Sequence, residues 1–107
     1  MLSVSPYVRA QQTADEIESY YPSIARQTCG CITPDDDPRR VLAWLSEQPV
    51  TDGWVLVSHM PLVAVLTGML TGADYGLVPF GTGTVACLDM EVLAPEGGRL
   101  IWQRHAT

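Results

Sequence analysis

Short apolar runs alternate with stretches of helical period along this chain. Leu2 to Val4 reads as the tail of a strand, and Ser5-Pro6 supplies an N-cap followed by a proline at the first helical position. From Val8 to Tyr20 the spacing is helical, with Val8, Ala14, Ile17 and Tyr21 on one side and Gln11, Asp15 and Glu18 opposite. Tyr21-Pro22 stops that helix, because the residue before a proline disfavours helical backbone. A short strand is expected near Ala25 to Thr28. Thr33-Pro34-Asp35-Asp36-Asp37-Pro38 is a turn cluster that ends in a capping aspartate and a helix-opening proline. Val41, Leu42, Trp44 and Leu45 give the helix after it an apolar face. Trp54 to Val57 is a continuous apolar run, which predicts a parallel strand covered on both faces. Pro61 to Leu70 predicts an apolar helix closed by Gly72. Thr84 to Val92 and Arg99 to Gln103 alternate around Ala94-Pro95-Glu96-Gly97-Gly98, the pattern of a hairpin.

Strands separated by helices, followed by two adjacent strands, predict an α/β domain with a mostly parallel sheet and an antiparallel C-terminal hairpin. At 107 residues the chain is expected to be a single domain over 1–107, and its 47% hydrophobic content suffices for a buried core.

Charge narrows the function. Twelve acidic residues face six arginines and no lysine, for a net charge of −6. A general nucleic-acid binder needs a basic stripe to displace counterions, so no nucleic-acid partner is expected. Cys29, Cys31 and Cys87 are too few and too unevenly spaced for a disulfide framework. Cys29-Gly30-Cys31 resembles half of a metal site without its second half, so reduced thiols, a cytoplasmic location and no metal are expected. The aspartates at 35–37 read as helix capping and solvation rather than as a calcium loop. Met1 to Ser5 lacks the basic and apolar regions of a signal peptide. The longest apolar stretch, Leu62 to Leu70, is interrupted by Thr67 and Gly68 and is too short to span a bilayer, so no membrane partner is expected.

The candidate chemistry lies in a repeated junction. Ser5-Pro6-Tyr7-Val8-Arg9-Ala10 is echoed by Ser58-His59-Met60-Pro61-Leu62-Val63, each following a strand-like run and opening a helix-like one. In open α/β sheets ligands bind beyond the carboxyl ends of strands, where helix N-termini present free N–H groups. An arginine at one such end and a histidine at the other suit an anion, with phosphate the best match. Arg9 opposes the macrodipole of its own helix, and such a broken local rule marks a functional position. Ser58 beside His59 does not make a hydrolase triad, since Gly-x-Ser-x-Gly is absent. His105 in the tail carries no such context.

These residues carry a resemblance. Val4-Ser5-Pro6-Tyr7-Val8-Arg9-Ala10-Gln11-Gln12-Thr13 resembles the Ser-Pro-x-x-Arg-Ala-x-Gln-Thr motif of the histidine phosphatase (phosphoglycerate mutase-like) superfamily. Val55 to Val63 is similar to that superfamily's second-histidine motif, and the short connection with Ile32-Thr33-Pro34 is similar to the SixA-type phosphohistidine phosphatases. The resemblance runs from Leu2 to about Gln103. It implies the three-layer phosphoglycerate mutase-like fold and removal of phosphate from a protein phosphohistidine in two-component signalling. The implied substrate is a histidine phosphotransfer domain or a small phosphoester, with no metal or organic cofactor. In it Arg9 clamps the phosphoryl group, His59 stabilises it in flight, and the Met60 N–H points into the same pocket. Phosphoryl transfer depends chiefly on positioning and charge stabilisation, so this assignment is chemically coherent. One departure is large. The superfamily's opening strand ends in an Arg-His-Gly motif whose histidine is the covalent nucleophile, and no Arg-His-Gly occurs in these 107 residues. The expectations are therefore a fold without its N-terminal strand, an exposed apolar edge at Trp54 to Val57, and no turnover by the family mechanism from this chain alone. The alternatives are a catalytically silent phosphate- or phosphoprotein-binding module, or a remnant that does not fold. Asp35, Asp36 and Asp37 are candidate proton donors only by their place in a loop.

Overall fold

The computed structural model describes residues 1–48, 53–73, 80–81 and 83–105. Two compact units make up the chain, Met1–His59 and Met60–Thr107.

The first unit is built on three short strands. β1 (Leu2–Val4) lies between β2 (Arg26–Thr28) and β3 (Val55–Val57) and runs parallel to both. Leu2, Ser3 and Val4 pair with Arg26, Gln27 and Thr28 on one side and with Val55, Leu56 and Val57 on the other. A central strand is shielded on both faces, and all of β1 is buried. Leu2 and Val4 join Ala10, Ala14 and Val57 in one core, with Ile17 and Ile24 packed against it. Each of the two large β1 side chains gains about 1.5–3 kcal/mol by leaving water. Ser3 points to the opposite face by strand alternation. Its hydroxyl accepts from Gln27 Nε2 at 3.0 Å and from Trp54 Nε1 at 2.9 Å, so the buried oxygen is satisfied.

α1 (Val8–Tyr20) covers this core, in agreement with its predicted limits. Its buried stripe differs from the predicted one. Ala10 and Ala14 are buried and Ile17 is half-buried, whereas Val8 and Tyr21 are exposed. Small side chains at i and i+4 let the helix approach the sheet closely, which wins over the larger apolar residues at its ends. Arg26 fastens α1 to β2, donating to Asp15 at 2.7 Å, Glu18 at 2.8 Å and Gln11 Oε1 at 2.7 Å. α2 (Pro38–Ser46) starts as predicted, with the Asp37 carboxylate accepting from the Arg39 N–H at 2.9 Å and Pro38 in the first turn. It buries Val41 and Leu42, and Trp44 meets Trp54 edge-on at 6.1 Å.

β3 matches the expected exposed apolar edge rather than the strand covered on both faces that its apolar run alone predicts. Among the described residues it is an edge of the three-stranded sheet, and Val55 is 38% exposed.

The second unit contains α3 (Leu62–Thr71) and a hairpin of β4 (Val85–Met90) and β5 (Gly98–Arg104). α3 ends at Gly72, whose φ of +76° is the left-handed conformation that glycine adopts without strain. The hairpin forms an antiparallel sheet of its own, with a register shift between Cys87 and Leu88. Its turn is tied to α3 through the Glu96 N–H, which donates to the Met69 carbonyl at 2.8 Å. Among the described residues no helix is long and apolar enough to cross a membrane.

Candidate functional site

Parallel register assembles the site. Val4 pairs with Val57, so the chain leaving β1 at Ser5 runs beside the chain leaving β3 at Ser58 and His59. The Ser5 N–H donates to the Val57 carbonyl at 2.9 Å, and Ser5 Oγ lies 2.7 Å from His59 Nε2. Ser5 is wholly buried and held on every side. Its hydroxyl accepts from the Tyr7 N–H at 3.3 Å, a local turn that serine favours. Its carbonyl accepts from Gln11 Nε2 at 2.9 Å. The Tyr7 ring packs on the His59 imidazole with centroids 5.0 Å apart and planes inclined at 48°. His59 is thus gripped at Nε2 and on one ring face, and Nδ1 has no hydrogen-bond partner among the described residues.

Ser5 therefore has a different task from the predicted one. The N-cap of α1 is Tyr7, and no side chain caps the helix. Nor does any acidic residue occupy its first turn. The first N–H groups of an α-helix have no partner within it, and the macrodipole adds positive potential there. Arg9 sits in that turn, is exposed, and has no carboxylate partner among the described residues, unlike Arg26, Arg39 and Arg99. Burial, helped by the Arg9 charge, holds the His59 imidazole below its usual pKa. Arg9 and His59 therefore share one electrostatic environment, with a fixed cation beside a neutral ring at neutral pH. With no carboxylate paired to Arg9 or His59 among the described residues, such a corner can receive an oxyanion.

The remaining candidates fall elsewhere. Met60, whose N–H the resemblance places in the pocket, opens the second unit and is 47% exposed. Ser58 Oγ donates to the Ile32 carbonyl and bears no hydrogen bond to His59. His105 Nδ1 lies 3.0 Å from Thr84 Oγ1 within the second unit. The Asp36 carboxylate accepts from the Thr33 hydroxyl at 2.6 Å and the Thr33 N–H at 2.7 Å, which hold it below the usual carboxylate range. Asp37, capping α2 and paired with Arg39, is lowered likewise. Both are ionised structural groups and poor proton donors. Asp35 is exposed and makes no hydrogen bond among the described residues. Ser5, expected as a helix cap, and Tyr7, to which the sequence assigns no role, are the further contributors to the site. The signal for Ser5 was available in the strand pairing, since two parallel strands ending level bring their next residues together.

An α/β unit with these two junctions at adjacent strand ends has the fold of the histidine phosphatase, phosphoglycerate mutase-like class. Within that class the chain is SixA-like. It is similar to the structure of the protein histidine phosphatase SixA complexed with tungstate, at 27% identity and a TM-score of 0.74, over 95% of this chain and 65% of that one. It is also similar to a structure from Nakamurella multipartitia that carries the provisional name phosphohistidine phosphatase SixA, at 22% identity and a TM-score of 0.76, over 97% and 69%. The chain thus spans just under two thirds of the length of the tungstate-bound SixA. No family model matches the sequence, and no curated protein matches it.

Proposed function

We propose that this chain takes part in phosphohistidine phosphatase chemistry of the SixA type, and that Arg9 and His59 hold the phosphoryl group. One observation carries the reading: Arg9, which among the described residues has no carboxylate partner and sits in an uncapped and acid-free helix turn, acts electrostatically on His59, whose Nδ1 has no hydrogen-bond partner among those residues. Guanidinium grips two oxygens of a phosphoryl group, the first-turn N–H groups of α1 supply further donors, and Nδ1 of His59 meets a third oxygen. The substrate under this reading is a phosphorylated histidine on a partner protein in a phosphorelay.

The chain contains only His59 and His105, and no Arg-His-Gly. His59 is committed to Ser5 and Tyr7 as a stabilising group. The polypeptide of residues 1–107 by itself therefore binds an oxyanion and does not form a phosphohistidine intermediate by the family route. That same fact favours a second reading, a silent module that recognises phosphoprotein.

Tungstate, the oxyanion in one SixA structure, is the probe. At a concentration about 100 times its Kd it adds about 2.7 kcal/mol of stability, seen as a rise in Tm. Arg9→Ala abolishes that rise, and a melting curve unmoved by tungstate sinks the reading. Phosphohistidine turnover by residues 1–107 that disappears in His59→Ala contradicts the inactivity and requires another nucleophile. The intact mass of the protein from its native source separates the two readings. A heavier species whose leading segment holds Arg-His-Gly is a phosphatase, and a species of 11.7 kDa is a binding module.

A further inference from the structure

The loop between β2 and α2 carries a pair of thiols that the phosphoryl site does not use. Cys29 and Cys31 place their sulfurs 2.8 Å apart, within about 1 Å of the ~2.05 Å of a disulfide bond. Both are free thiols, Cys29 buried and Cys31 partly exposed. Gly30 between them is exposed, and a side chain added there would meet nothing within 4 Å, so the connecting residue is sterically free to turn. Either side of the pair is anchored. The Cys29 N–H donates to the Val4 carbonyl at 2.8 Å, and the Ile32 carbonyl accepts from Ser58 Oγ. These anchors are the residues immediately before Ser5 and His59.

We propose that Cys29 and Cys31 are a redox-active dithiol, an oxidation site that a small-molecule disulfide such as glutathione disulfide closes to a disulfide within the loop. In the first step the accessible Cys31 loses its proton and attacks the glutathione disulfide. A bond forms between Cys31 and one glutathione, the glutathione S–S bond breaks, and the departing thiolate takes up a proton. In the second step the Cys29 thiolate attacks the Cys31 sulfur and expels the other glutathione. Two protein thiols are oxidised and one small disulfide is reduced to two thiols. Burial and the adjacent Cys29 push the Cys31 thiol up to about 12, so at neutral pH Cys31 stays protonated beside Cys29. Because the thiolate is the attacking species, this slows closure. The closed bond covalently links two positions already tethered to the strand ends that carry Ser5 and His59.

The test treats the full chain with glutathione disulfide, blocks remaining thiols with a maleimide, and reads intact mass and linked peptides. The expected product has lost two hydrogens, carries a single maleimide on Cys87, links Cys29 to Cys31, and keeps the far-ultraviolet circular dichroism of the untreated chain. Cys29→Ser is expected to trap a lasting glutathione adduct on Cys31. If that variant does not fold, Cys31→Ser serves, and its buried Cys29 is expected to resist glutathione while the fold persists. Three maleimides on the treated wild-type chain, a lasting glutathione adduct on it, or a link that includes Cys87 overturns the proposal. None of these readouts depends on oxyanion binding, so they stand apart from the phosphatase reading.

Discussion

Ser5 links the sheet to the oxyanion corner through a single hydroxyl. With the Tyr7 N–H donating to it and His59 Nε2 at 2.7 Å, its removal leaves two polar groups without a partner in a buried place. Ser5→Ala is expected to cost about 1–3 kcal/mol of stability and to weaken tungstate binding, with urea denaturation and calorimetry as the two measures. Unchanged tungstate affinity in a folded variant would show that Ser5 does not orient the imidazole. The pH dependence follows from His59. Its folded-state pKa lies below the ordinary 6.5, so in acid the unfolded chain takes up this proton before the folded one does. Stability from this group is full above about pH 6.5 and is lost as pH falls toward the lower folded value. Wild type is expected to lose more stability than His59→Gln between pH 7.5 and 5.5, read from urea denaturation at the two pH values, and equal losses would show that His59 does not carry the pH dependence. Saturating tungstate should move the imidazole resonance titration upward, because binding and protonation favour each other reciprocally.

At the scale of elements, the local signals were strong wherever one residue type does one physical job. Asp37-Pro38 opens α2 and Gly72 closes α3, as their capping chemistry predicts. Asp37→Ala is expected to destabilise the chain by about 1 kcal/mol through the lost N-cap, measured as a shift in the urea midpoint. The buried face of α1 differs from the one its pattern predicts because alanine contributes little to a hydrophobicity pattern. Ala10 and Ala14 are core residues for their small size, and Val8 at 70% exposure shows that apolar character alone does not bury a residue at a helix end. β2, Arg26-Gln27-Thr28, has no apolar residue at all. It is a strand because β1 offers it a ladder and because the Arg26 side chain reaches back to α1.

For the whole molecule, the first unit depends on one three-residue strand. Leu2→Ala, at the start of that strand and fully buried, is expected to cost about 2–5 kcal/mol, as cavity-forming substitutions in cores do, and calorimetry should show a correspondingly lower Tm. A cost below 1 kcal/mol would mean that β1 is not the organising strand. The chain carries a net charge of −6, so the proposed oxyanion binding relies on Arg9 and the first turn of α1 rather than on the net charge of the molecule.

The sequence by itself determined the element order, the caps of α2 and α3, the hairpin and the identity of Arg9 and His59 as the unusual residues at two junctions. Those are local properties, written in the side-chain chemistry and period of short segments. Tertiary structure alone decided that Ser5 rather than Ser58 touches His59, that the Tyr7 ring packs at an angle on the imidazole, and that Asp36 is tied to Thr33. It also decided that the sulfurs of Cys29 and Cys31 meet. The first two of these contacts depend on strand order and register, which are set by which β-strands find each other across the sheet. The others depend on how one loop folds back on itself, which no helical or strand period encodes.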